Sequence, residues 1–159
     1  MKKLLSFVKN QRGLTLVELL AVVVILGIIA AIAVPSIGGI IKNSKKDAHI
    51  ANAEQMVSAV RLAEASDLKN NESVEYSLNE LIDQGYIEDV SSPGNDGEYI
   101  KGNSTVEVTN VEGEEGVRTY TITLQGQTGP YIKSATIEQL REEGRGLVDL
   151  NGEAAEPSE

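Results

Sequence analysis

Glu18 is an acid in a place where an acid needs a reason. It stands in Leu14-Thr15-Leu16-Val17-Glu18, and the sixteen residues that follow, Leu19 to Val34, are all apolar or glycine. An apolar run of about 20 residues spans the hydrocarbon core of a bilayer. An ionised, unpartnered carboxylate one turn inside such a run costs roughly 2.5 to 3.5 kcal/mol on insertion scales. The chemistry called for is neutralisation by a cation. The nearest source is a new amino terminus, because hydrolysis of the Gly13-Leu14 peptide bond would free an α-amine at Leu14. Leu14 and Glu18 are related as i and i+4, which puts them on one helical face. A subunit can close that pair internally, or offer its acid to the amine of a neighbour. The second arrangement makes a polymer.

Arg12-Gly13-Leu14-Thr15-Leu16-Val17-Glu18-Leu19 resembles the prepilin leader and cleavage motif of the type IV pilin family, which includes the pseudopilins of type II secretion and the pilins of competence systems. The likeness covers residues 1 to roughly 50, and Leu81 to Tyr86 also has a general likeness to segments in Gram-positive pilins. The resemblance implies cleavage between Gly13 and Leu14 by a membrane aspartic peptidase, N-methylation of Leu14, and a role for Glu18 in recruiting and registering each incoming subunit. It implies loosening or kinking of the helix at Gly27 and Pro35. Its implied partners are other copies of the chain, the prepilin peptidase, an inner-membrane assembly platform with its ATPase motor, and membrane lipid before assembly. Most family members begin the mature chain with Phe, where this one has Leu14.

Several elements must position these residues. The leader, Met1 to Gly13, carries Lys2, Lys3, Lys9 and Arg12 and no acid, so its removal takes the formal net charge from -10 to -14. Four bases before the apolar run, against Lys42, Lys45 and Lys46 after it, keep the leader cytoplasmic and the bulk outside. Past the run, Ile50, Ala53, Val57 and Val60, widened by Met56, Ala59 and Ala63, form an amphipathic stripe. Asp47, Asn52, Glu54, Gln55, Arg61 and Glu64 occupy its wet faces. A helix from Leu14 to about Ser66 would reach about 80 Å at 1.5 Å per residue, weakened at Pro35 and Gly38-Gly39.

The remainder reads as a small head. Ser77-Leu78-Asn79-Glu80 is a capping box opening a short helix over 78 to 84, stopped by Gly85. Residues 91 to 97 are turn material. Val106 and Val108, then Tyr120, Ile122 and Leu124, alternate with polar neighbours across the break at residues 112 to 116, which predicts a hairpin. Tyr131-Ile132 adds a strand, and Thr136-Ile137-Glu138-Gln139 repeats the capping logic before a stop at Gly144. The expected class is α+β and pilin-like, a long amino-terminal helix packed on a small antiparallel sheet. The expected divisions are leader 1–13, transmembrane and polymerisation helix 14–41, extracytoplasmic head 42–150, and an acidic disordered tail 151–159.

Composition removes several function classes. No cysteine exists, so there is no disulfide, thiol nucleophile or thiolate metal site; this suits an envelope without strong oxidising machinery, as in many Gram-positive bacteria. The acidic mature chain repels phosphate backbones, and direct nucleic-acid binding by a single subunit is not expected. Five Tyr, one Phe and no Trp make a poor stacking platform, and no pair of acids is fixed across a cleft as a glycosidase requires. The single histidine, His49, lacks a positioned partner for catalysis and reads as a surface or subunit-contact residue. Asn95, Asp96 and Glu98 offer oxygens for calcium, as a related loop does in some pseudopilins, but without the ligand spacing of a calcium loop; a plain turn is the expectation. The chain is expected to be no enzyme and to need no cofactor. The function expected is a pilin subunit that is cleaved, held in the plasma membrane with its amino end cytoplasmic, and polymerised into a surface type IV pilus. A type II secretion or competence pseudopilin is the neighbouring alternative, and a monomeric membrane-anchored binding protein the contrasting class. A secretory signal peptide cut near Ala31-Ile32-Ala33 is disfavoured by Glu18 and by the length of the run.

Overall fold

The computed structural model describes residues 4–66, 74–94, 97–111, 117–154 and 157, with side chains of the first helix from Leu16 onward. The chain divides into two units, Met1–Ile41 and Lys42–Glu159. The helix α1, Leu4–Ser66, supplies all the described residues of the first unit and continues into the second. It already includes residues 4–13, the stretch expected to be a leader, and is helical through Gly27, Pro35 and Gly38-Gly39.

In the second unit the elements after α1 are β1 (Val74–Ser77), α2 (Leu78–Asp83), β2 (Thr105–Asn110), β3 (Arg118–Gln125), β4 (Pro130–Thr136), α3 (Ile137–Glu142) and a 3₁₀ turn at Gly144–Leu147. The four strands form one antiparallel sheet in sequence order. The α+β pilin-like arrangement expected from the sequence is therefore present, with the amphipathic length of α1 against the sheet. Ala53, Met56, Val57, Ala59, Val60 and Ala63 of α1 form one core with Val106, Val108, Ile122, Leu124 and Ile132 of the sheet. Strand alternation sends those side chains to one face. At β3 and β4 the register shifts between Ile122/Ala135 and Leu124/Ile132, so β4 carries an extra residue there; Ser134, at φ 47°, absorbs it and lets both Ile132 and Ala135 face inward.

Both capping boxes form as read. Ser77 Oγ accepts from the Glu80 amide at 3.2 Å while Glu80 takes the Ser77 amide at 3.0 Å, and Thr136 and Gln139 repeat the exchange at 3.2 and 2.9 Å. The bonds from Ser77 hold the Glu80 carboxyl below the usual carboxylate range. Gly85, at φ 78°, ends α2. The hairpin strands pair as expected, while the five-residue tip at 112–116 lies outside the described residues.

Two expectations are corrected. The edge strand β1 pairs Val74 to Ser77 with Val108 to Thr105, although the sequence reading assigned this stretch only the cap at Ser77. The tail is not uniformly disordered, because Asn151–Ala154 lies against β4. Asp149 Oδ1 accepts the Asn151 amide at 2.7 Å, an Asx turn. Thr128 Oγ1 donates to the Asn151 carbonyl at 2.7 Å, and the Ala154 amide to the Pro130 carbonyl at 3.1 Å. Backbones approach so closely that a Cβ on Gly129 would collide with the Gly152 carbonyl. These carbonyl and amide partners are what a composition-based reading of an acidic tail leaves out.

Candidate functional site

From Leu16 to Ile41 α1 is apolar on every side, and each Leu, Ile and Val in that stretch is between 51% and 71% exposed. Among the described residues this is the one helix long and apolar enough to cross a membrane. Leaving one such side chain in water costs roughly 1.5 to 3 kcal/mol. For the sixteen residues involved that comes to some tens of kcal/mol, beyond the whole stability of an ordinary domain. The single carboxylate in the stretch, Glu18, is exposed with them, and its roughly 3 kcal/mol insertion cost is far too small to hold the helix in water. Lipid or other apolar helices must cover this surface. The Gly13-Leu14 bond lies within α1, one turn before Glu18. Gly27 has open space around it, and Pro35 leaves the carbonyl one turn earlier without its helical amide.

In the second unit the polar faces of α1 are not simply solvated, as the sequence reading expected. Asp47 takes a bidentate pair from Arg145 at 2.6 and 2.5 Å, and Lys46 donates to the Arg145 carbonyl at 2.9 Å. Glu54 meets Arg141 at 3.3 Å. Glu64 takes both the Arg118 guanidinium and, at 3.0 Å, the Tyr120 hydroxyl, while Arg61 lies 4.7 Å from the centre of the Tyr120 ring. Asn52 donates to the Ser91 carbonyl and to the Tyr99 hydroxyl, both at 3.1 Å. Arginine forks fix these contacts geometrically, and the guanidinium of Arg145 holds the Asp47 carboxyl below its ordinary range.

His49 is also corrected, since it is completely buried rather than a surface residue. Its Nδ1 is 2.7 Å from the Tyr99 hydroxyl, and its ring lies 4.2 Å from that of Tyr131. The signal was in the spacing, because His49 precedes Ala53, Met56 and Val57 by four, seven and eight residues and so belongs to the apolar stripe. Of the calcium candidates, Asn95 and Asp96 lie outside the described residues. Glu98 accepts the Ser92 amide at 3.3 Å, and no cluster of three metal-binding side chains occurs among the described residues.

Burial raises the pKa of the Tyr99 hydroxyl, and burial followed by the Glu64 carboxylate raises that of Tyr120. Unfolded tyrosine loses its proton near pH 10, so above that pH the folded head binds more protons than the unfolded chain and stability falls as pH rises. Spectrophotometric titration at alkaline pH is expected to show Tyr99 ionising only as the head unfolds, and Tyr120 ionising later than an exposed tyrosine. Ionisation of all five tyrosines at pH 10 with the far-ultraviolet signal intact would contradict this packing.

The family profile described as "Prokaryotic N-terminal methylation motif" matches residues 8–34. Two proteins of Pseudomonas aeruginosa named "Fimbrial protein" are each 32% identical to this chain over 136 residues, covering 84% of this chain and 80% of their own length. No solved structure matches the chain significantly.

Proposed function

Since this chain belongs to the type IV pilin and pseudopilin family, we propose that it is the structural subunit of a type IV pilus filament, made as a precursor and assembled from the plasma membrane. The observation that carries this reading is the apolar surface of α1 from Leu16 to Ile41, exposed on all sides, with one acid near its start. The family's subunits are structural rather than catalytic, and the work of this chain is assembly.

Peptidase cleavage adds water across the Gly13-Leu14 bond, leaving a carboxylate on the leader and an amine on Leu14. The leader, 1–13, departs with its four bases. Methylation keeps that amine basic, so it stays a cation. Residues 14–41 hold the subunit in lipid with the amino end cytoplasmic, and the head from Lys42 onward faces outward. The assembly platform and its ATPase motor draw the helix out of the bilayer. Neighbouring helices then replace lipid around it, and Glu18 of one copy neutralises the Leu14 amine of the next. Gly27 and Pro35 are the places where the helix opens at least cost as it is packed.

Mass spectrometry of material sheared from cells tests this, with a chain beginning at Leu14 and methylated there as the expected result. A bulky substitution such as Gly13→Leu is expected to leave a heavier precursor that retains the leader and never reaches the sheared fraction. A mature chain starting at any other residue would refute the assignment of the cleavage bond.

A further inference from the structure

Three of the chain's cations stand together where the apolar surface of α1 stops. Lys42, Lys45 and Lys46 follow Ile41 directly and are related as i, i+3 and i+4, which gathers them on one side of the helix. The arginines of the head are engaged by partners within the head itself. Arg145, Arg141 and Arg118 are paired with Asp47, Glu54 and Glu64, and Arg61 lies over Tyr120. Lys101 is likewise paired with Asp89 at 2.6 Å. Lys46 donates to the carbonyl of Arg145, an uncharged acceptor that leaves its positive charge in place. Lys42 is exposed, and Lys45 and Lys46 are half-buried.

Length says what these lysines meet. Residues 14 to 41 measure about 42 Å as a helix at 1.5 Å per residue, and a bilayer including both headgroup layers is about 40 to 45 Å thick. When the amine of Leu14 lies in one headgroup layer, the lysines lie in the other. We propose that Lys42, Lys45 and Lys46 form a binding site for the phosphates of anionic phospholipids in the extracytoplasmic leaflet. The site holds the unassembled subunit upright at a fixed depth. It rests on the membrane-spanning reading given above. The flexible stems of lysine suit this use, lying along apolar surface with the charge at the interface. The rest of the head is acidic and is repelled by the same lipids, so the two effects together turn the head away from the membrane.

The test uses the full chain purified in detergent and offered equal amounts of phosphatidylglycerol and phosphatidylcholine, with retained lipid counted by native mass spectrometry. The wild type is expected to retain phosphatidylglycerol preferentially. Replacing all three lysines with glutamine is expected to lower that preference by roughly fivefold per lysine, the scale of one basic residue near an anionic surface. Lys42→Gln alone, at an exposed position that disturbs no hydrogen bond of the head, is expected to account for one such step. The triple arginine variant is expected to keep the preference, as is Lys101→Gln in the head. An undiminished preference in the triple glutamine variant would overturn the proposal, and so would equal retention of the two lipids by the wild type. If that variant keeps its lipid preference but drops out of filaments, the lysines serve the carboxylates of a neighbouring copy instead. Release of the wild-type chain from membranes by alkaline carbonate would remove the spanning reading itself, a failure distinct from loss of the lipid preference.

Discussion

Glu18→Ala is expected to leave the protein in the membrane and to remove it from filaments. Insertion does not suffer, because the substitution deletes a charge that costs roughly 2.5 to 3.5 kcal/mol in the hydrocarbon. Assembly suffers because the Leu14 amine of the neighbouring copy then enters a water-poor core without its counter-charge. Stranding one member of a buried pair costs about 3 to 5 kcal/mol. At 1.4 kcal/mol per factor of ten, each subunit addition loses two to three and a half orders of magnitude. Glu18→Gln keeps the shape and hydrogen-bonding capacity of the side chain and removes only the charge, so it is expected to fail nearly as badly, whereas Glu18→Asp retains partial assembly. Immunoblots of membrane and sheared fractions measure both halves of the expectation. Wild-type amounts of sheared filament from the alanine variant would exclude this mechanism.

The largest stability loss is expected at Tyr131. Its side chain is completely buried, its ring lies against His49 and edge-on to Tyr99 at 5.9 Å, and a Cβ on Gly94 would collide with its hydroxyl. Tyr131→Ala empties that space at a cost of about 3 to 5 kcal/mol, a large part of what a small domain has in total. Tyr131→Phe is expected to be neutral or mildly stabilising. The hydroxyl has no hydrogen-bond partner among the described residues, and a buried, unsatisfied polar group costs about 1 to 3 kcal/mol. Denaturant unfolding of the two variants separates ring from hydroxyl. A phenylalanine variant less stable by more than about 1 kcal/mol would mean that the hydroxyl is held by a bond, contrary to this account.

What the sequence revealed and what it hid divide along a physical line. The caps at Ser77 and Thr136 were legible because each is a contact between residues three apart. The stripe from Ala53 to Ala63 was legible because burial repeats with the helical turn, and the family motif around Gly13 and Glu18 because its residues follow one another directly in the chain. Contacts across the fold were not legible. Nothing local in Asp47, Glu54 or Glu64 announces Arg145, Arg141 or Arg118, which lie 54 to 98 positions away. β1 escaped because four residues, half of them polar, carry too little alternation, and it is its pairing with Thr105 to Val108 that defines it. His49 was misjudged by residue type although its spacing was correct.

In the proposed filament, the arginine contacts also bear on how tension is carried. Asp47, Glu54 and Glu64 are spread over 18 residues of α1, about 26 Å of its length, each gripped by a different part of the head. A pull along the filament axis reaches the head through the helices and loads those three attachments, and the apolar core between them, side by side in shear. They cannot peel apart one at a time, as a single attachment at one end would allow. A chain with no cysteine thereby gains resistance to traction from the geometry of its attachments rather than from a covalent crosslink.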